Sequence, residues 1–161
     1  MKTILDDKHI ACVAHALDLN GAATVDCDSI NMKNYKRATF IFTFDTLATA
    51  SAAMTVNSGA TDGACTSALT FNYAFGSAAV GSANSDVLAA TTSAATLTIT
   101  HGTYDDYMLV VDIPASQMDM ANDEEWLTVR FTDPGGATGT LDGIVILEPR
   151  YSNESSASAL A

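Results

Sequence analysis

The stretch ATFIFTFDT, residues 38–46, decides the fold class of this chain. Phe40, Phe42 and Phe44 fall on one side of it, and Ile41, Thr43 and Asp45 on the other. Such alternation marks a strand, because successive side chains of an extended backbone point to opposite faces. Just upstream, NMKNYKR (31–37) gathers Lys33, Lys36 and Arg37, three of the seven basic residues of the protein, around Tyr35. In a chain of net charge −12 this cluster predicts a positive patch against a negative surface. Such a patch offers a second copy, or another acidic protein, a complementary contact. Tyr35 adds an aromatic of the type enriched in interface cores. Lys33, Asn34, Tyr35, Lys36 and Arg37 are therefore the candidate protein–protein interface. The plainer alternative is a loop leading into an edge strand, where basic residues are common.

Working outward, the same period recurs. ATVDCDS sets Val25 and Cys27 against Asp26 and Asp28. AAMTVNSG (52–59) is a short strand ending in a turn. LTFNYAF (69–75) places Leu69, Phe71, Tyr73 and Phe75 on one face, and TLTI (96–99) gives Leu97 and Ile99 an inner side. YMLVVDI turns Tyr107, Leu109, Val111 and Ile113 inward, or is buried on both faces, and Pro114 ends it because proline cannot donate to a ladder. WLTVRFT aligns Leu127, Val129 and Phe131. DPGGATG is a tight-turn cluster, and LDGIVILEPRY a final strand closed by Pro149. PASQMDMANDEE holds the one interior helical turn expected. The prediction is an all-β, jelly-roll-like sandwich of about seven or eight antiparallel strands.

The ends read differently. Ile4, Ile10, Val13 and Leu17 recur at near-helical spacing, so residues 1–20 are expected to be a short helix or an extended N-terminal arm. Residues 21–151 form the predicted sandwich domain. The polar tail 152–161 is expected to be flexible.

At 161 residues the chain fits one domain with a full core. Charged residues are only 16%, and Ala, Gly, Ser and Thr abound, which suits tightly packed β-structure. The net charge of −12 argues against nucleic acid, whose phosphates call for a basic face, and against anionic membranes. No signal peptide is expected, since Asp6, Asp7, Lys8 and His9 interrupt any apolar region at the start. No apolar run approaches membrane-spanning length. Cys12, Cys27 and Cys65 match neither a disulfide framework nor a zinc ligand set, which suits folding in a reducing cytosol.

The histidines, glycines and acidic runs fall outside the familiar catalytic motifs. His9, His15 and His101 stand outside any His-Glu-x-x-His pattern, and there is no Gly-x-Ser-x-Gly elbow. GSAAVGS (76–82) lacks the lysine of a phosphate loop, and the two aspartates of DPGGATGTLDG are too few for calcium. Asp119, Asp123, Glu124 and Glu125 suggest a carboxylate pair for glycoside hydrolysis only if they converge with another acid; a solvated face is the plainer reading. The sequence therefore predicts a non-enzyme, with no catalytic, metal-binding or cofactor-binding residues and no cofactor.

Three segments, taken in order, carry a resemblance. DSINMKNYKRATFIFTF, then DYMLVVDIPASQMD, then WLTVRFTD followed by GIVILEPRY resemble a group of tailed-bacteriophage virion proteins. The matching features are Lys33 to Arg37, Asp112 to Asp119 and Ile144 to Tyr151, within a similarity covering most of residues 25–151. Several such proteins are capsid decoration, or cement, proteins with jelly-roll-like folds. The resemblance implies a homodimer or homotrimer on the outer capsid surface, made in the bacterial cytoplasm. There it would bridge neighbouring major capsid protein subunits, with its N-terminal arm reaching an adjacent subunit. The alternatives are a tail-tube or head-fibre protein, or a carbohydrate-binding β-sandwich module marked by Trp126.

Overall fold

The computed structural model describes residues 4–20, 23–132, 136–151 and 158–160, apart from the side chains of residues 5 and 6. The fold is a β-sandwich of two six-stranded sheets. The first sheet runs in the order β1 (His9–Asp18), β12 (Thr140–Pro149), β4 (Tyr35–Phe44), β10 (Met108–Pro114), β7 (Phe71–Phe75) and β8 (Thr92–Ala94). The second runs β2 (Thr24–Asp26), β11 (Trp126–Thr132), β5 (Ala52–Gly59) and β6 (Ser67–Leu69). In it, β3 (Ile30–Asn31) also pairs with β11, and β9 (Thr96–Ile99) with β5. Neighbouring strands are antiparallel throughout.

The alternating patterns produce the core. Phe40, Phe42 and Phe44 of β4, Leu109, Val111 and Ile113 of β10, and Val145 and Leu147 of β12 point inward from the first sheet. Leu127, Val129 and Phe131 of β11, with Met54 and Val56 of β5, face them from the second. Phe131 meets both Phe42 and Phe44 edge-on, with ring centroids 5.7 and 6.3 Å apart. That geometry adds a quadrupole attraction to the burial of area.

Several expectations are corrected. The described residues hold twelve strands rather than seven or eight, because short segments of two to four residues complete the sheets. The expected strand 69–75 is two: Leu69 pairs with Val56 in the second sheet, while Phe71 to Phe75 belong to the first. The chain crosses back between β8 and β9, so both segments turn the same corner of the sandwich. Of the short helix or extended arm expected for residues 1–20, a short helix is present only at the start, and most of the described segment is strand. Its helix α1 spans only Ile4–Asp7, and His9–Asp18 is an edge strand integral to the first sheet, burying Ala11 and Val13. The end of the tail is docked: Ala159 is 1% exposed, and its carbonyl accepts the Asn31 N–H at 2.8 Å. Residues 152–157 of that tail, and Asp133, Pro134 and Gly135 of the expected turn, lie outside the described residues. The helical stretch 114–125 forms two single 3-10 turns, Ala115–Gln117 and Met120–Asn122.

Candidate contact face

The outer surface of the first sheet is built by the same period that fills the core. Cross-strand register aligns Cys12, Ile144, Ile41 and Val110 as one outward row over β1, β12, β4 and β10. The next row brings Ile10, Ile146, Thr39 and Asp112 together. Ile10 and Ile144 are 43% and 41% exposed, and Cys12 is exposed as well. Ile41, Ile146 and Val110 are half-buried by their neighbours. A sheet with one solvated face normally carries polar residues there; the runs IVIL (144–147) and MLVV (108–111) instead place apolar side chains on both sides of their strands.

The ends of this face differ in charge. At one end Glu148 and Arg37 are cross-strand partners. Lys8 Nζ donates to Glu148 Oε1 at 2.5 Å, Lys36 Nζ lies 3.7 Å from Glu148 Oε2, and Arg37 Nε lies 3.7 Å from Asp112 Oδ1. The described ion pairs there bring Lys8, Lys36 and Arg37 onto Glu148 and Asp112. The Lys8 hydrogen bond, aided by the Lys36 and Arg37 charges, holds the Glu148 carboxyl below its ordinary range despite partial burial. At the other end Asp45, Asp106 and Asp142 line one recess with Thr43 and Val80, and Asp18 stands across from Thr140. The Ala16 N–H, donated to Asp142 Oδ1 at 2.8 Å, holds that carboxyl below its ordinary range, with His15 adding to the effect.

The candidate interface 33–37 is thereby split. Tyr35 is only 3% exposed, its ring 5.8 Å from that of His9, so it supports the core rather than a partner's surface. A register shift between the pairs Glu148–Arg37 and Pro149–Tyr35 takes Tyr35 off the even-numbered inward series Ala38, Phe40, Phe42 and Phe44 and turns it to the core. Lys33 turns toward the second sheet, 3.6 Å from Glu125. Asn34 is exposed in the turn, and its carbonyl accepts the Arg150 N–H. Lys36 and Arg37 keep 60% and 50% of their side chains exposed and belong to the basic end of the face. The cluster is a mixed-sign network rather than a bare positive patch.

The other acidic groups serve the frame. Glu124 is buried, accepting from Ser58 Oγ at 2.6 Å and Ser67 Oγ at 3.0 Å. Arg130 forms a two-pronged pair with Asp26 at 2.6 and 2.8 Å, which raises the guanidinium further above its ordinary value. Burial pushes the Cys27 and Cys65 thiols up. Among the described residues no group of three His, Cys, Asp or Glu is placed to hold a metal ion. His9 packs on Tyr35, His15 pairs with Asp142, and His101 sits in an exposed turn. Trp126 is half-buried on the outer side of the second sheet, opposite Gly59. No protein-family model matches the chain, and comparison with curated proteins found no significant match.

Proposed function

We propose that this protein acts through surface contact, as a decoration protein on the outside of a phage capsid that bridges neighbouring major capsid subunits. The supporting observation is the outward apolar face of the first sheet, bounded by ends of opposite charge. A broad, flat, side-chain-built surface of that kind suits protein docking rather than enclosure of a small molecule. The net charge of −12 fits a protein kept away from packaged DNA. A ligand that binds only the assembled lattice stabilises that lattice by mass action, and many weak contacts reinforce one another through effective concentration.

The test is the copy number of this chain in purified virions, measured by quantitative mass spectrometry against the major capsid protein. A ratio near one, or a simple fraction of it, is expected. A ratio of a few per cent points instead to the tail or a vertex, and absence from the particle overturns the virion role.

A further inference from the structure

We infer that the occupant of the first sheet's outer face is a second copy of this chain, packed face to face about a two-fold axis that crosses the strands. Two observations select this partner. First, the charges run in opposite senses along the strand direction. Lys8, Lys36 and Arg37 mark one end; Asp45, Asp106 and Asp142 mark the other. The register places Arg37 and Thr43 six residues apart on β4, so the ends are separated by about 20 Å at ~3.3 Å per residue. An axis across the strands reverses one sheet on the other and sets the basic end of each copy over the acidic end of its partner. An axis along the strands would stack like on like, which in a protein of charge −12 is repulsive. The complementarity is thus internal to the chain, as a self-complementary two-fold interface demands.

Second, the area suffices. Five strands at ~4.8 Å spacing and about eight residues of length give a footprint of roughly 600 Å² per copy, about 1,200 Å² in all. That clears the ~1,000 Å² threshold for a specific contact. The Ile10, Ile144, Ile146, Ile41 and Val110 side chains supply a desolvated centre, with the charged groups as its rim. The pairing also leaves the two second sheets facing away from each other, so a dimer presents two identical outer surfaces. That is the bivalence a bridge between capsid subunits requires.

Near the axis, Cys12 of one copy stands beside Cys12 of the other at the β1 edge. Sheets packed face to face lie about 10 Å apart, within reach of a short bis-maleimide linker. Resting on the reading of this face as a protein contact, the pairing is tested on isolated protein, whereas the shell role is tested on particles, so either fails alone. By sedimentation velocity the wild type is expected to be a dimer. Ile144→Asp, at an exposed position, is expected to be a monomer with an unchanged circular dichroism spectrum. Lys36→Glu with Arg37→Glu is expected to weaken dimerisation about tenfold or more, and adding Asp45→Lys to recover part of it. The linker is expected to join two chains of the wild type but not of Cys12→Ser. A wild-type monomer at about 100 μM, well above the micromolar range for such areas, overturns the inference. So does a trimer, or a dimer untouched by Ile144→Asp.

Discussion

Gly143 shows how closely single residues are fitted. It faces the core from β12, directly across from Phe42. A Cβ added there would stand 2.7 Å from two ring carbons of Phe42 and 3.3 Å from Val13 Cγ2. The ring has nowhere to go, since it is fully buried and lies edge-on to Phe131. Gly143→Ala is therefore expected to cost about 1–3 kcal/mol by overpacking. At ~2–4 °C per kcal/mol for a chain of this size, that lowers Tm by roughly 2–12 °C in a thermal melt. A Tm within a degree of wild type would show that the ring yields without cost. At the same scale, Glu124 was legible in the sequence only as one of a run of acids. Its burial depends on Ser58 and Ser67, more than fifty residues upstream, which no local pattern links to it.

Edge strand β1 is held to the rest of the first sheet by its ladder to β12 and, at its start, by a charged clasp. Glu148 accepts from Lys8, just ahead of β1, and faces Lys36 of β4. The clasp holds the folded-state carboxyl below its ordinary value of 4.5, while the unfolded chain titrates near that value. The folded protein thus binds this proton more weakly. The stabilisation is complete above the ordinary value and is lost as pH falls through the lowered one. Glu148→Gln, which keeps the shape without the charge, should flatten the decline of Tm between about pH 5 and pH 2. Parallel acid limbs for the two proteins would show that the clasp adds nothing. Elements also show where sequence patterning stops being informative. In β1 the register shifts between Cys12 and Ala14 and between Ala14 and Leu17, and Ala16 has φ 45°. The irregularities set Leu17 four residues from Val13 on the inner side, while Ile10 points outward, so the near-helical spacing mixes the two faces of a strand. At Thr70 the reverse holds: apolar alternation runs on unbroken from Leu69 to Phe71 while the chain changes sheets.

For the molecule as a whole, charge and surface work together. A net charge of −12 keeps copies apart in solution unless a particular surface overrides the repulsion. The proposed contact through the first sheet's outer face would do so by pairing apolar rows with ends of opposite sign. As pH falls toward the isoelectric point near 4.2 the general repulsion vanishes. Turbidity should then rise to a maximum close to that pH, reversibly if the fold persists. A solution that stays clear through that range would mean that net charge is not what keeps the protein dispersed. The runs IVIL and MLVV leave apolar side chains on the outer side of a six-stranded sheet, which is the surface the proposed pairing would cover.

The sequence by itself determined the fold class and the inward faces of the long strands. Phe40, Phe42 and Phe44, Leu109, Val111 and Ile113, and Leu127, Val129 and Phe131 all lie where alternation places them. That was possible because side-chain direction along a strand is a local property of extended backbone. Only the tertiary structure decided that His9–Asp18 is a strand, that Ala159 is docked against Asn31, and that Tyr35 is core while Lys36 and Arg37 are rim. Each of these depends on a partner far away in the chain: β12 for β1, β3 for the tail, His9 for Tyr35. The outer apolar row is the mixed case. Its residues were visible as two-faced hydrophobic runs, but register alone, set by long-range pairing, aligned them into one surface.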